Sequence, residues 1–129
     1  MKSIFNFSKA SIFLFISLAF FSITSCHKEG EGGKSSISGM VKHHEQPIPN
    51  CVVYIKYGAT EFPGTDVSKY DASVTADADA NYAFSSLRKG DYYLYGVGYD
   101  NFISEIVTGG IAIKLKYNKA VSSNVPVTE

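Results

Sequence analysis

The sequence predicts an all-β sandwich behind an N-terminal export segment, and three observations carry that expectation. Apolar residues alternate with polar ones over short runs after residue 36. Turn residues (Gly, Pro, Asn and Asp) punctuate those runs, and no stretch beyond residue 26 repeats with the 3.6-residue period of a helix. The length, 129 residues, suits a single domain. Six of the nine Phe lie in the first 21 residues, whereas all nine Tyr lie after residue 50. The Phe-rich part suits an apolar export segment, and the Tyr-rich part suits strands with one wet face.

Residues 1–26 open with Lys2 and Lys9, continue through an apolar run at 12–23, and end in Thr24, Ser25 and Cys26. A positive start, a short apolar core and small residues near the cut are the features of an export signal. The run is well short of the roughly 20 residues that span a bilayer. Ile23, Thr24, Ser25 and Cys26 resemble the lipobox of bacterial lipoproteins, in which the cysteine is acylated and becomes the first residue. The resemblance implies a signal peptide at 1–25, cleavage before Cys26, and anchorage in the bacterial outer membrane through that lipidated cysteine. The protein would then be periplasmic or surface-exposed. Residues 27–36, His-Lys-Glu-Gly-Glu-Gly-Gly-Lys-Ser-Ser, carry no apolar side chain, so 26–36 is expected to be a flexible tether. The domain proper is placed at 37–129.

Within it the strand candidates follow in order. Over 36–42, Ile37, Gly39 and Val41 share one face, and Gly39 suits the close approach of another strand. Pro47 and Pro49 make 43–50 a turn. Over 51–57, Cys51, Val53, Ile55 and Tyr57 share one face and Val52, Tyr54 and Lys56 the other. Residues 58–71 form a connection long enough to be a candidate contact region. A short strand at 72–76 leads to two alternating runs, Tyr82 with Phe84 and then Tyr92 with Leu94, joined through Leu87 and the turn at 88–91. A weak strand is expected at 101–107, a turn at Gly109 and Gly110, and a strand at 111–117 with Ile111, Ile113, Leu115 and Tyr117 inward. A last strand at 125–128 carries Pro126, which places it on a sheet edge.

Asp77, Asn81, Tyr82, Phe84, Leu87, Gly90, Tyr92, Gly98 and Tyr99, with Ile37, Gly39, Val41, Pro47, Cys51 and Val53 upstream, resemble the carboxypeptidase regulatory-like domains. That resemblance implies a seven-stranded, transthyretin-like Greek-key β-sandwich over roughly 35–129, in whose register Cys51, Val53, Ile55 and Tyr57 face in and Val52, Tyr54 and Lys56 face out. In carboxypeptidases the corresponding domain accompanies a catalytic one and is not itself an enzyme.

Chemistry-bearing residues are sparse. With Lys2 and Lys9 set aside, ten basic and twelve acidic side chains remain, which gives no support for a nucleic-acid partner. Asp77, Asp79 and Asn81 alternate like the start of a calcium loop, but Tyr82 and Arg88 stand where such a loop wants Gly and Glu, so a hydrogen-bonded turn is expected, with Asn81 left-handed. His43 and His44 read as exposed loop histidines pointing to opposite sides rather than as a metal pair. Cys51, the only thiol left once Cys26 is acylated, reads as a buried core residue. Transthyretin-like hydroxyisourate hydrolases end in Tyr-Arg-Gly-Ser, whereas this chain ends in Asn-Val-Pro-Val-Thr-Glu and has Arg88 as its single arginine. No catalytic residue, metal or cofactor is therefore expected. Tyr54, Tyr93 and Tyr95 are expected to face outward on neighbouring strands, as a candidate surface for a glycan or an envelope protein. Cross-strand pairing that merely stabilises the sheet is the structural alternative. The expected function is that of a non-catalytic cell-envelope lipoprotein, a binding or structural module.

Overall fold

The computed structural model describes residues 28–129, so the export segment, the lipobox and Cys26 lie outside the described residues. Two β-sheets face each other. The first is built around β1 (Glu31–His43), which is long enough to pair along both of its sides. Ile37 pairs with Phe84 of antiparallel β5 (Asn81–Leu87) and with Val121 of parallel β8 (Ala120–Ser122). Further along, β1 pairs with the two-residue β2 (Gln46–Pro47) and with parallel β9 (Val125–Val127). The second sheet is antiparallel, in the order β4 (Ala72–Thr75), β3 (Val52–Tyr57), β6 (Gly90–Asp100), β7 (Glu105–Leu115). Counting β8 and β9 as one strand interrupted at Ser123 and Asn124, and setting the tiny β2 aside, the described residues contain seven strands. A single 3₁₀ turn at Val67–Lys69 is the sole helical element among them.

The core lies between the sheets. Ile37 and Val41 of β1, Tyr82 and Phe84 of β5, and Val125 and Val127 of β9 meet Val53 and Ile55 of β3, Leu94 of β6 and Ile113 of β7. Each strand contributes alternate residues, the period-two pattern that the sequence displays. Cys51 belongs to this core, free and fully buried, and burial pushes its thiol up to about 11, which leaves it protonated and inert. Gly39 has the role expected of it: a Cβ there would collide with the Ser123 carbonyl, at the point where β8 gives way to β9.

Several expectations are corrected. Residues 31–36 of the expected tether are strand, and the chain is already held at Gly30. The Gly30 N–H donates to the Tyr92 hydroxyl at 2.9 Å, and the Gly30 carbonyl accepts from the Arg88 N–H at 2.8 Å. Backbone groups supply the order that the side chains of this stretch lack. Gly109 and Gly110 do not turn the chain. They sit mid-strand in β7, opposite Gly96 and Tyr95, and a side chain at Gly109 would strike the Pro126 carbonyl. The turn falls instead at 101–104, where the Asp100 carboxylate accepts from the Phe102 N–H at 2.8 Å and Ser104 takes φ 58°. Leu87 is buried although it is out of phase with Tyr82 and Phe84, because Ser86 is left-handed at φ 57° and the strand bulges there. Tyr117, expected inward, lies past the end of β7 and is exposed. Pro126 does sit in a strand that borders its sheet. Beyond it, Thr128 crosses to the other sheet and exchanges both backbone hydrogen bonds with Thr108 at 2.9 Å.

Candidate functional site

Tyr54, Tyr93 and Tyr95 do share the outer face of the second sheet, since Tyr54 pairs directly with Tyr95 and Lys56 with Tyr93. They do not form an open surface. Residues 58–71 fold back over them, so Phe62 lies 5.2 Å from Tyr95 and 5.9 Å from Tyr93, while Tyr70 stacks on Tyr95 at 5.7 Å. Tyr54 lies 5.8 Å from Tyr70. The Tyr70 hydroxyl donates to the Gly64 carbonyl at 2.8 Å, and the Asp71 carboxylate accepts from the Tyr57 N–H at 2.7 Å, which fastens both the middle and the end of the loop. Tyr95 is consequently 4% exposed, against the expectation that it faces solvent. Burial pushes the Tyr70 hydroxyl up to about 12. The long connection is thus the lid of a second, aromatic core, and Phe62 is the ring it leaves most open.

The turn at 77–81 is closed by hydrogen bonds to its first residue. One Asp77 carboxylate oxygen accepts from the N–H groups of Asp79 and Asn81, each at 2.9 Å, and the left-handed residue is Ala80 at φ 67° rather than Asn81. Among the described residues no group of three metal-type ligands comes together.

His43 overturns its expectation. It is 7% exposed, and its Nδ1 lies 2.8 Å from Asp100 Oδ2, joining the end of β1 to the end of β6. Its Nε2 lies 2.7 Å from Glu129 Oε2, which places a second carboxylate against the ring. The hydrogen bond that His43 donates to Asp100 is the main reason that His43 titrates above its ordinary value, with burial opposing it and the Glu129 charge assisting. Asp100 is held below the usual carboxylate range chiefly by the same bond. Glu129 is lowered mainly by a hydrogen bond to its own backbone, with the His43 charge contributing. The two imidazoles are neighbours after all, with ring centres 4.6 Å apart, because His44 is left-handed at φ 53° and folds the chain back.

This clamp supports a feature that strand periodicity does not reveal. The β6–β7 hairpin projects Tyr99, Phe102, Ile103 and Ile106 into solvent, with Phe102 78% and Ile106 67% exposed. Beside it lies a groove of about 400 Å³, whose walls include Tyr99, Phe102, Asn101, Gln46 and Asp79. Asp100 reaches both parts: one oxygen takes His43 and the other fixes the hairpin backbone at Phe102. The groove therefore offers two aromatic faces beside amide and carboxylate groups, on a rigid support. The available sign in the sequence was Asp100 followed by Asn101, an Asx-turn pair flanked by apolar residues.

No protein-family model matches the chain, and no curated protein matches it. Among solved structures it is similar to a crystal structure from Pseudomonas aeruginosa, of a protein proposed to bind carbohydrate. The TM-score is 0.51 and the identity 11%, and the match covers 75% of this chain and 90% of that one. At that identity the likeness is one of fold, and it agrees with the β-sandwich built above.

Proposed function

We propose that this protein is a non-catalytic lipoprotein of the bacterial outer membrane, anchored through Cys26, whose sandwich is a carboxypeptidase regulatory-like binding module for carbohydrate. The observation that carries the reading is the hairpin groove, where Tyr99 and Phe102 stand beside Asn101, Gln46 and Asp79. Sugar rings present apolar C–H faces and a rim of hydroxyls. Exposed aromatic rings flanked by amides and carboxylates answer both demands. The fold likeness to a protein proposed to bind carbohydrate is in keeping with this. The shelf of Tyr54, Tyr93 and Phe62 is the second candidate surface, with Tyr95 as its buried support rather than a contact.

A glycan array probed with the full chain tests the reading, followed by titration of any hit against Phe102→Ala, Asp79→Asn and Phe62→Ala. Loss of at least tenfold in affinity for Phe102→Ala, with the melting temperature unchanged, supports the groove. Loss confined to Phe62→Ala moves the site to the shelf. Retention of no glycan by the folded wild type overturns the carbohydrate reading.

A further inference from the structure

Charge is divided between the two ends of the sandwich. β1 and β6 both run from one pole to the other, and the 11 residues of β6 separate the poles by roughly 35 Å. At the N-terminal pole lie Lys28 and Lys34 on the incoming chain, Arg88 and Lys89 on the β5–β6 turn, and Lys114, Lys116 and Lys119 around the end of β7. Against these seven cations stand Glu29, Glu31 and Asp91, while the β3–β4 connection, which leaves the sheet beside Asp91, adds Lys56 and Lys69 against Glu61, Asp66 and Asp71, so that cations keep the majority. Hydrogen bonds tie the groups of this pole together: the Arg88 guanidinium donates to the Lys28 carbonyl at 3.4 Å, and Ser35 Oγ donates to the Lys116 carbonyl at 2.7 Å. The hairpin pole has the opposite balance. Glu45, Asp77, Asp79, Asp100, Glu105 and Glu129 stand there with Lys42 as the one permanent cation. The two ends of β6 thus carry opposite net charge.

The basic pole is also where the described chain begins. Cys26 precedes Lys28 by two residues in the sequence, so the expected anchor adjoins this pole along the chain. Tyr117 stands on this same pole, 69% exposed, and lines a concavity with Lys34 and Lys89. An aromatic ring with a polar tip among lysines is the side-chain set that favours a headgroup layer.

We propose that the N-terminal pole docks onto a bilayer surface with anionic headgroups, standing the sandwich upright with the β6–β7 hairpin presented away from the membrane. This rests on the lipoprotein reading for what brings the pole to the surface. It adds an orientation that a lipid on a short leader does not impose. The basic pole is drawn to phosphate-bearing headgroups, the acidic pole is repelled, and each lysine contributes about a fivefold bias toward the docked state.

The test uses the processed protein, purified from membranes with its Cys26 end intact, in phosphatidylcholine vesicles with or without phosphatidylglycerol. A fluorophore is placed at Ala120→Cys on the basic pole or at Asn101→Cys on the hairpin, and headgroup-attached quenchers read the distance. The expected result is strong quenching at residue 120 and little at 101 in anionic vesicles, with the difference lost at high salt. Lys114→Gln with Lys116→Gln should lower the docked-to-undocked ratio about 25-fold. Should that variant fail to fold, the salt titration of the wild type decides alone. Equal quenching at both positions, or no dependence on anionic lipid, overturns the docking. Retention of the wild type on neutral vesicles in high salt reports the lipid anchor separately. Loss of that retention alongside salt-sensitive binding to anionic vesicles would overturn the anchor and leave the docking surface standing.

Discussion

The N-terminal pole and the hairpin pole close the same sandwich by opposite means. At the N-terminal pole a stretch without apolar side chains is ordered by buried Tyr92, whose hydroxyl accepts from the Gly30 N–H and donates to the Arg88 carbonyl at 2.6 Å. At the hairpin pole a stretch rich in apolar side chains leaves them in water and is ordered from beneath by the polar Asp100–His43 contact. One pole hides its aromatic ring to hold polar backbone; the other hides its polar groups to hold out aromatic rings. The difference teaches that exposure at the hairpin is built rather than left over, because a buried carboxylate is committed to supporting it.

That contrast can be broken most sharply at Tyr92. Tyr92→Ala should cost about 3–5 kcal/mol in chemical denaturation, as a large buried ring is removed and Gly30 is released. A loss under about 1 kcal/mol would mean that the pole is held by other contacts. Next comes Tyr95→Ala, which should cost about 2–4 kcal/mol and speed proteolysis within 58–71, because the aromatic lid loses its floor. An unchanged cleavage rate would show the loop to be held at Asp71 alone. Tyr92→Phe, which keeps the ring and removes only the hydroxyl, should cost about 1–3 kcal/mol and accelerate amide exchange at Gly30.

The hairpin pole responds to pH instead. His43 is raised in the folded protein, so its contribution is complete below its ordinary value of 6.5 and is lost as pH rises through the raised one. Asp100 is lowered, so its contribution is present above 3.8 and is lost as pH falls through the depressed one. The melting temperature should therefore be highest between these limits and fall on the alkaline side, and His43→Gln should flatten that fall. An identical profile for the variant would remove the clamp from the account. The smallest effect is expected at Phe102→Ser, within about 0.5 kcal/mol of wild type, because the ring packs against water. A larger destabilisation would mean that the hairpin tip is part of the core.

Most of the inner face was legible beforehand. Cys51, Val53 and Ile55, Tyr82 and Phe84, and Tyr92 and Leu94 are buried as their alternation requires, because side-chain period is a local property of extended backbone. The errors fall where the deciding partner is remote in sequence. Gly109 and Gly110 have the composition of a turn, but their place in β7 depends on pairing with β6 and on the passage of β9. Tyr95 faces the outer side as expected, yet Phe62 and Tyr70 decide its burial. His43 is 57 residues from Asp100, so nothing near it in the chain announced a buried imidazole–carboxylate contact.

The amino-acid order by itself determined the strand periods, the one-domain β architecture and the expectation of an exported, lipidated N-terminus, because each depends on neighbours in the chain. Which faces are covered, which histidine is buried, and how charge divides between the poles were decided by the tertiary structure. Those properties depend on which distant segments the two sheets bring within a few ångströms of each other.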